Sequence, residues 1–374
     1  MPTNQPVRCL SRRTFLRLSV AAGAGAALAA CGSAPAASPS APAATSAAPS
    51  GAGSAAPAGA PSAAASAKPS AAASGKPSAG TLKVASTSMA GSQTPMWLAE
   101  NLKAFAQYGV TVSRQVVSAD AGVKALISKE IDVLFQATPA LMVADLNGNL
   151  DLVYVASIYN FAQFSMAVDP KVIQNAADLK GKIVGTGTPG SAVDMMCRTL
   201  LTKLGLKPSD VTLRAFGSSQ GIDAALVAGQ IPAGSISVPG TFQMETRGIK
   251  MLTNNYDIPY QNIGPIVSRA RVQELSPLLL PFLQAMRDGI KAFSAQPDLA
   301  KQLISENTKE TDQAILQKTY DFYIKEAHFQ PDLEPTMPGI KAALDFLVDT
   351  IPSAKDAKPE QYVDRTILEK LPKG

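Results

Sequence analysis

The chain has 374 residues, with 34 Lys and Arg against 29 Asp and Glu, a formal net charge of +5 and 46% hydrophobic residues. The basic excess sits at the N-terminus: Arg8, Arg12, Arg13 and Arg17 precede Cys31 with no acidic residue among them, and the chain beyond them carries only +1. A nearly neutral body without a basic block argues against a nucleic-acid partner, and a single histidine, His328, cannot build a histidine metal cluster.

The first predicted element is not globular. Ser11-Arg12-Arg13-Thr14-Phe15-Leu16-Arg17 resembles a twin-arginine export motif, with Arg17 where Lys is commoner. A weakly apolar run over 18–30 follows, as long as a secretory core and too short to span a bilayer. It ends in Leu28-Ala29-Ala30-Cys31, which resembles a bacterial lipobox. The expectation is a lipoprotein signal peptide over 1–30 and acylation of Cys31, which would hold the protein by a membrane anchor to the outer face of the cytoplasmic membrane. The plainer alternative is an Ala-rich helix that happens to contain a cysteine. Residues 31–80 are Ala, Ser, Pro and Gly with an occasional Lys, such as Lys68 and Lys76. Nothing there offsets the entropy of ordering, so a disordered tether is expected.

From Leu82 the pattern becomes short β-rich runs alternating with amphipathic helices. Strands are predicted over 82–86, 111–117, 133–136, 152–157 and 211–215, helices over 96–108 and 121–128, and C-terminal helices over 277–293 and 312–327. This alternation predicts an α/β architecture with mostly parallel sheets. The chain also repeats itself at an offset of one hundred residues: Ala125-Leu126-Ile127 meets Ala225-Leu226-Val227, Ile131 meets Ile231, Pro139 meets Pro239, and Gly148 meets Gly248. Two similar lobes follow, each burying its own core. In open α/β sheets a ligand sits beyond the carboxyl ends of the strands. The turns 137–139 and 238–240, with Pro at or near a first helical position, are expected to face each other there.

Several pieces together resemble solute-binding proteins of the nitrate/sulfonate/taurine and thiamine-pyrimidine-precursor group. They are Thr94-Pro95-Met96-Trp97-Leu98-Ala99-Glu100, Tyr108-Gly109-Val110-Thr111-Val112, Ile131-Asp132-Val133, Asp178-Leu179-Lys180-Gly181-Lys182-Ile183-Val184-Gly185 and Leu204-Gly205-Leu206. The resemblance implies a two-lobed type II periplasmic-binding-protein-like fold, joined by two crossover strands and closing on a small-molecule ligand in an interlobe cleft. It implies a monomer without cofactor that delivers its ligand to an ABC permease. Pro232, where the family carries an acidic residue, and Lys129-Glu130, where Gly-Glu is commoner, depart from the pattern. Lobe one is expected over 81–168 plus 265–374, lobe two over 169–264, with the C-terminal helices packed back on lobe one.

The expected ligand contacts are Thr87, Ser88, Gln136, Thr138, Gly190, Ser191, Val238 and Pro239 in four converging turns, with Trp97, Tyr159 and Asn160 alongside. Trp97 could equally fill the core. Phe216 reads more simply as core, Ser191 and Asp194 as a helix cap, and Cys197 as a small buried hydrophobe. No Gly-x-Ser-x-Gly elbow, Cys/His pair or His-Glu-x-x-His motif is present. Two rival functions remain open. One is an enzyme of the same fold that makes a thiamine pyrimidine from its own histidine, whose pocket histidine and cysteine-rich motif are missing here. The other is a ligand-sensing surface lipoprotein.

Overall fold

Thr81-Leu82-Lys83-Val84 alternates exposed and buried side chains, the period of a strand with one face on a core, and opens strand β1 (Thr81–Ser86). A computed structural model describes residues 78–148, 150–326 and 328–372. The export motif, Cys31 and all but the end of the Ala/Ser/Pro stretch lie outside the described residues. After β1 come helices α1 (Thr94–Asn101) and α2 (Ala104–Gln107), β2 (Thr111–Val116), α3 (Ala119–Ile127), β3 (Val133–Gln136), α4 (Thr138–Gly148), β4 (Leu152–Tyr154) and β5 (Tyr159–Phe161). The single helix expected over 96–108 is thus two, because Lys103 turns left-handed (φ 56°) and redirects Ala104 and Phe105 into the core.

Strand β6 (Phe164–Val168) opens the second half, followed by β7 (Ile183–Thr186), α5 (Ala192–Lys203), β8 (Thr212–Ala215), α6 (Ser219–Val227), β9 (Ala233–Ser237), α7 (Gly240–Thr246) and β10 (Lys250–Asn254). The long strand β11 (Pro259–Ser268) then returns, and α8 (Val272–Ala295), α9 (Pro297–Thr308), α10 (Gln313–Lys325) and α11 (Met337–Leu347) complete the chain.

The two sheets are wired alike. The first has the order β2-β1-β3-β11-β4, with β5 paired to β11, and the second β8-β7-β9-β6-β10. In each, the first strand lies parallel between the second and third, and an antiparallel strand borrowed from the other half of the chain separates the third from the fourth. Those borrowed strands, β6 and β11, are the two crossovers. They move one expected lobe boundary: β6 belongs to the second sheet although it precedes residue 169, whereas β11 pairs with β3 from Gly264, at the expected boundary. A fully buried five-residue run such as Phe164–Val168 carries no periodicity that says which sheet it joins.

The hundred-residue repeat is physical. Ser118 caps α3 through Ala121 N–H and Ser218 caps α6 through Gly221 N–H. Both helices end in a left-handed residue, Lys129 (φ 62°) and Gly229 (φ 65°), and both chains then bury Ile131 and Ile231. The prolines differ from expectation: Pro139 is the second residue of α4, and Pro239 stands just before α7, after a cis peptide bond.

The C-terminal helices pack back on lobe one, α11 against α4 and β11 among them, and some of them also reach lobe two. Helix α8 packs on α1 of lobe one, but Ile340, Ala343 and Leu344 of α11 share one apolar cluster with Met166, Val184 and Leu200 of the second lobe. Helix α10 also reaches across: Phe322 lies against Phe242 and Tyr256, and Lys318 pairs with Glu245 at 3.3 Å. Among the described residues no helix is long and apolar enough to cross a membrane.

Candidate functional site

Strands β1 and β3 end side by side, at Ser86 and Gln136. The chain after β1 is tied to β3 because Thr87 donates its N–H and its hydroxyl to the Phe135 carbonyl, at 3.2 and 3.3 Å. Gln136 is 2% exposed, and neither its Nε2 nor its Oε1 has a partner in the chain. It lines a cavity of about 380 Å³ whose other wall is the Thr188–Ser191 turn of the second lobe. That turn is held from behind. Ser191 Oγ accepts from Asp194 N–H at 3.3 Å, and Asp194 in turn accepts from Gly190 N–H at 3.1 Å and from Arg198 Nε at 3.0 Å. Gly190 is left-handed (φ 79°) and faces Val143 of α4 so closely that a Cβ would stand 3.3 Å from it.

A second stretch of the junction lies where α1, β5 and α10 meet the first residues of lobe two. Tyr323 donates its hydroxyl to Gln163 Oε1 at 2.8 Å and meets Tyr159 edge to face, with ring centroids 5.6 Å apart. The chain before α1 presses on this ring, since a Cβ on Gly91 would come within 2.7 Å of Tyr323. Ser92 Oγ, Gln93 Nε2, Tyr159 OH, Thr241 Oγ1 and Thr319 Oγ1 are buried here without partners. Burial, followed by the neighbouring Tyr323 and Tyr256 phenols, pushes the Tyr159 phenol well up, so it stays a neutral donor. Val238, at the end of the second sheet, is packed into the apolar cluster of the first lobe.

The structure thus brings Gln136, Gly190 and Ser191 together around one cavity, ties Thr87 to the Phe135 carbonyl beside it, and sets Tyr159 and Val238 into the neighbouring stretch. Ser88 is half-buried in the loop after β1, and Pro239 is half-buried beside α7. The other expected contacts are otherwise employed. Thr138 donates to the Gln261 carbonyl at 3.0 Å. Asn160 accepts from Ser157 Oγ at 2.6 Å and donates to the Glu334 carbonyl at 2.7 Å. Both residues therefore hold the crossover in place rather than offering a free group. Trp97 lies in the lobe-one core at 2% exposure, its indole N–H unpartnered. Phe216 packs on the outer cluster of lobe two under the Arg214 guanidinium.

Sequence reading missed Gln93, Gln163, Thr241, Thr319 and Tyr323. Gln163 lies four residues beyond Tyr159 in the predicted crossover and could have been named from that position. Tyr323 is 160 residues from its partner Gln163, and no local pattern announces that contact. Cys197 is buried in lobe two and donates to the Gly185 carbonyl, and burial pushes its thiol up to about 12, which removes it as a nucleophile. His328 is exposed. Among the described residues no group of His, Cys, Asp and Glu is arranged to hold a metal ion.

A family profile described as NMT1/THI5 like matches residues 91–300. No curated protein sequence is matched. Solved structures with the same architecture include a protein from Bordetella bronchiseptica RB50, 22% identical over 78% of this chain and 96% of that one, with a TM-score of 0.65. The alkanesulfonate-binding protein SsuA from Xanthomonas axonopodis pv. citri, bound to MOPS, is 17% identical over 79% and 98% of the two chains, with a TM-score of 0.62. The periplasmic nitrate-binding protein NrtA from Synechocystis PCC 6803 is 17% identical over 78% and 85%, with a TM-score of 0.58.

Proposed function

Given that the chain belongs to the NMT1/THI5-like family, with the type II periplasmic-binding-protein fold of the structures just compared, we propose that it captures a small organic molecule between its lobes outside the cytoplasm and delivers it to an ABC importer. One observation carries this reading: buried polar groups without partners gather where the strand ends of the two lobes meet, from Gln136 and Ser86 on one side to Thr241 on the other. Each such group costs about 1–3 kcal/mol if left unmade. A chain that keeps several together gains their hydrogen bonds when a ligand enters. The two crossover strands leave the lobes free to close over it, and closure is the change a permease would recognise.

Binding is favoured over catalysis because the junction offers amides, hydroxyls and neutral phenols, while Cys197 is buried in the lobe-two core and His328 lies on the surface. The N-terminal motifs support export and anchoring through Cys31. Arg12-Arg13→Lys-Lys then leaves precursor in the cytoplasm, and Cys31→Ala gives protein that fractionates away from membranes. Lipid-labelled Cys31→Ala protein would rule the anchor out. For the binding function, the molecule released on denaturing gently purified protein is identified by mass spectrometry and titrated back by calorimetry. Tyr159→Phe and Gln93→Leu are each expected to weaken its binding about tenfold or more. Unchanged affinity in both variants removes this junction as the site.

A further inference from the structure

We infer that the ligand is uncharged where it is buried, and that Gln136 reads it through an adjacent donor and acceptor such as a carboxamide or lactam presents. This rests on the binding-protein reading above and narrows it to a class that differs from the sulfonate and nitrate of the similar structures. Among the described residues no Lys, Arg or His is buried. The buried carboxylates are all committed: Asp132 to Lys83 N–H and Arg271, Asp194 to Gly190 N–H and Arg198, and Glu310 to the N–H groups of Thr311 and Asp312. The unpartnered groups named above at the junction, from Gln136 and Ser86 to Thr241, are neutral amides, hydroxyls and a phenol.

Helix N-termini can hold an anion without a cation, but here that route has lost donors at three helices. At α5 the Gly190 N–H that would meet a ligand oxygen is taken by Asp194, whose own negative charge already complements the helix end. The residue before α7 is Pro239, which has no N–H, and Pro95 removes another donor from the start of α1. Lys124 lines the cavity, and Asp120 lines it too, so the ionisable groups of the lining sum to no net charge.

Gln136 sharpens the class. Its amide offers a donor and an acceptor, both buried and both unpartnered. An anion can use only the donor and leaves Oε1 facing a negative charge. A planar group carrying N–H beside C=O or ring nitrogen satisfies both at once, the same logic by which Gln reads an adenine edge.

Matched pairs that differ in charge and little else test this on the mature chain: benzamide against benzoate, nicotinamide against nicotinate, methanesulfonamide against methanesulfonate. Thermal shift and calorimetry are expected to show the neutral member of at least one pair binding about tenfold tighter or better than its anion. Gln136→Leu is expected to erase that preference, with Gln136→Met as the second variant should Leu disturb folding. Preference for the anionic member overturns the inference and leaves the binding-protein reading standing. A neutral preference that survives in folded Gln136 variants overturns the role of Gln136. Binding of no member of any pair, with no molecule released on denaturation, overturns both.

Discussion

Lys129 and Gly229 occupy equivalent left-handed positions at the ends of α3 and α6, at φ 62° and 65°. Only the second is a glycine, the residue for which that conformation carries no Cβ conflict. Nothing lies within 4 Å of a Cβ built on Gly229, so the backbone angle alone decides the outcome there. Lys129→Gly is expected to stabilise the fold by about 0.5–1 kcal/mol and Gly229→Lys to destabilise it by about 1 kcal/mol, read from urea midpoints. Asp223 supplies a pH test. Its Oδ1 is buried without a partner and its other oxygen crowds Gly240, where a Cβ would come within 2.6 Å. Burial raises its pKa to about 7, with Arg247 pulling the other way. Between the ordinary carboxylate value near 4 and about 7 the native state holds a proton that the unfolded chain has lost. Stability contributed by this site therefore falls as pH rises through that window and stays low above it. Asp223→Asn should match the wild type near pH 4 and exceed it by at least about 1 kcal/mol near pH 8. A constant difference across that range would mean the carboxyl does not titrate there.

At the scale of elements, α1 and α8 approach so closely that a Cβ on Gly289 would lie 2.0 Å from the Pro95 carbonyl oxygen. Backbone cannot move aside as a side chain can, so Gly289→Ala is expected to cost about 1–3 kcal/mol and lower the Tm by several degrees in calorimetry. An unchanged Tm would mean the two helices can separate without loss. This contact was not legible in the sequence, because Gly289 sits in a long helical pattern where a glycine only lowers the expected propensity. The strands were legible where one face is buried and the period is two, as at 82–86, and the repeat was legible because Ser118 and Ser218 cap matching helices. The crossovers were not: β6 and most of β11 are buried throughout, and a run buried on both faces names no partner. Thr138 and Asn160 were read as ligand contacts for the same reason. Each is a polar residue at the right turn, and only the fold shows that Gln261 and Glu334 take up its hydrogen bonds.

At the scale of the whole molecule, the lobes meet at Gly190 and Val143, on either side of the cavity that Gln136 lines. Val143 is half-buried on α4, and Gly190 is held in place by Asp194 rather than by the contact itself. A bulky side chain at 143 therefore meets a wall that does not yield locally. The strain is relieved instead by rotation about the two crossovers, whose buried network of Ser157, Asn160 and Gln261 is untouched. Val143→Trp is expected to hold the lobes apart, raising the radius of gyration by small-angle scattering and weakening ligand binding about tenfold or more. The unfolding midpoint of the ligand-free protein should change little, since Val143 lies half-buried at the edge of an apolar cluster rather than inside it. Val143→Ala serves as the control, because it removes volume at the same place and should leave closure intact. If Val143→Trp closes on ligand with wild-type affinity, the lobes do not move against each other at this contact. The hinge would then have to be sought elsewhere, where α10 reaches lobe two through Phe322 and Lys318.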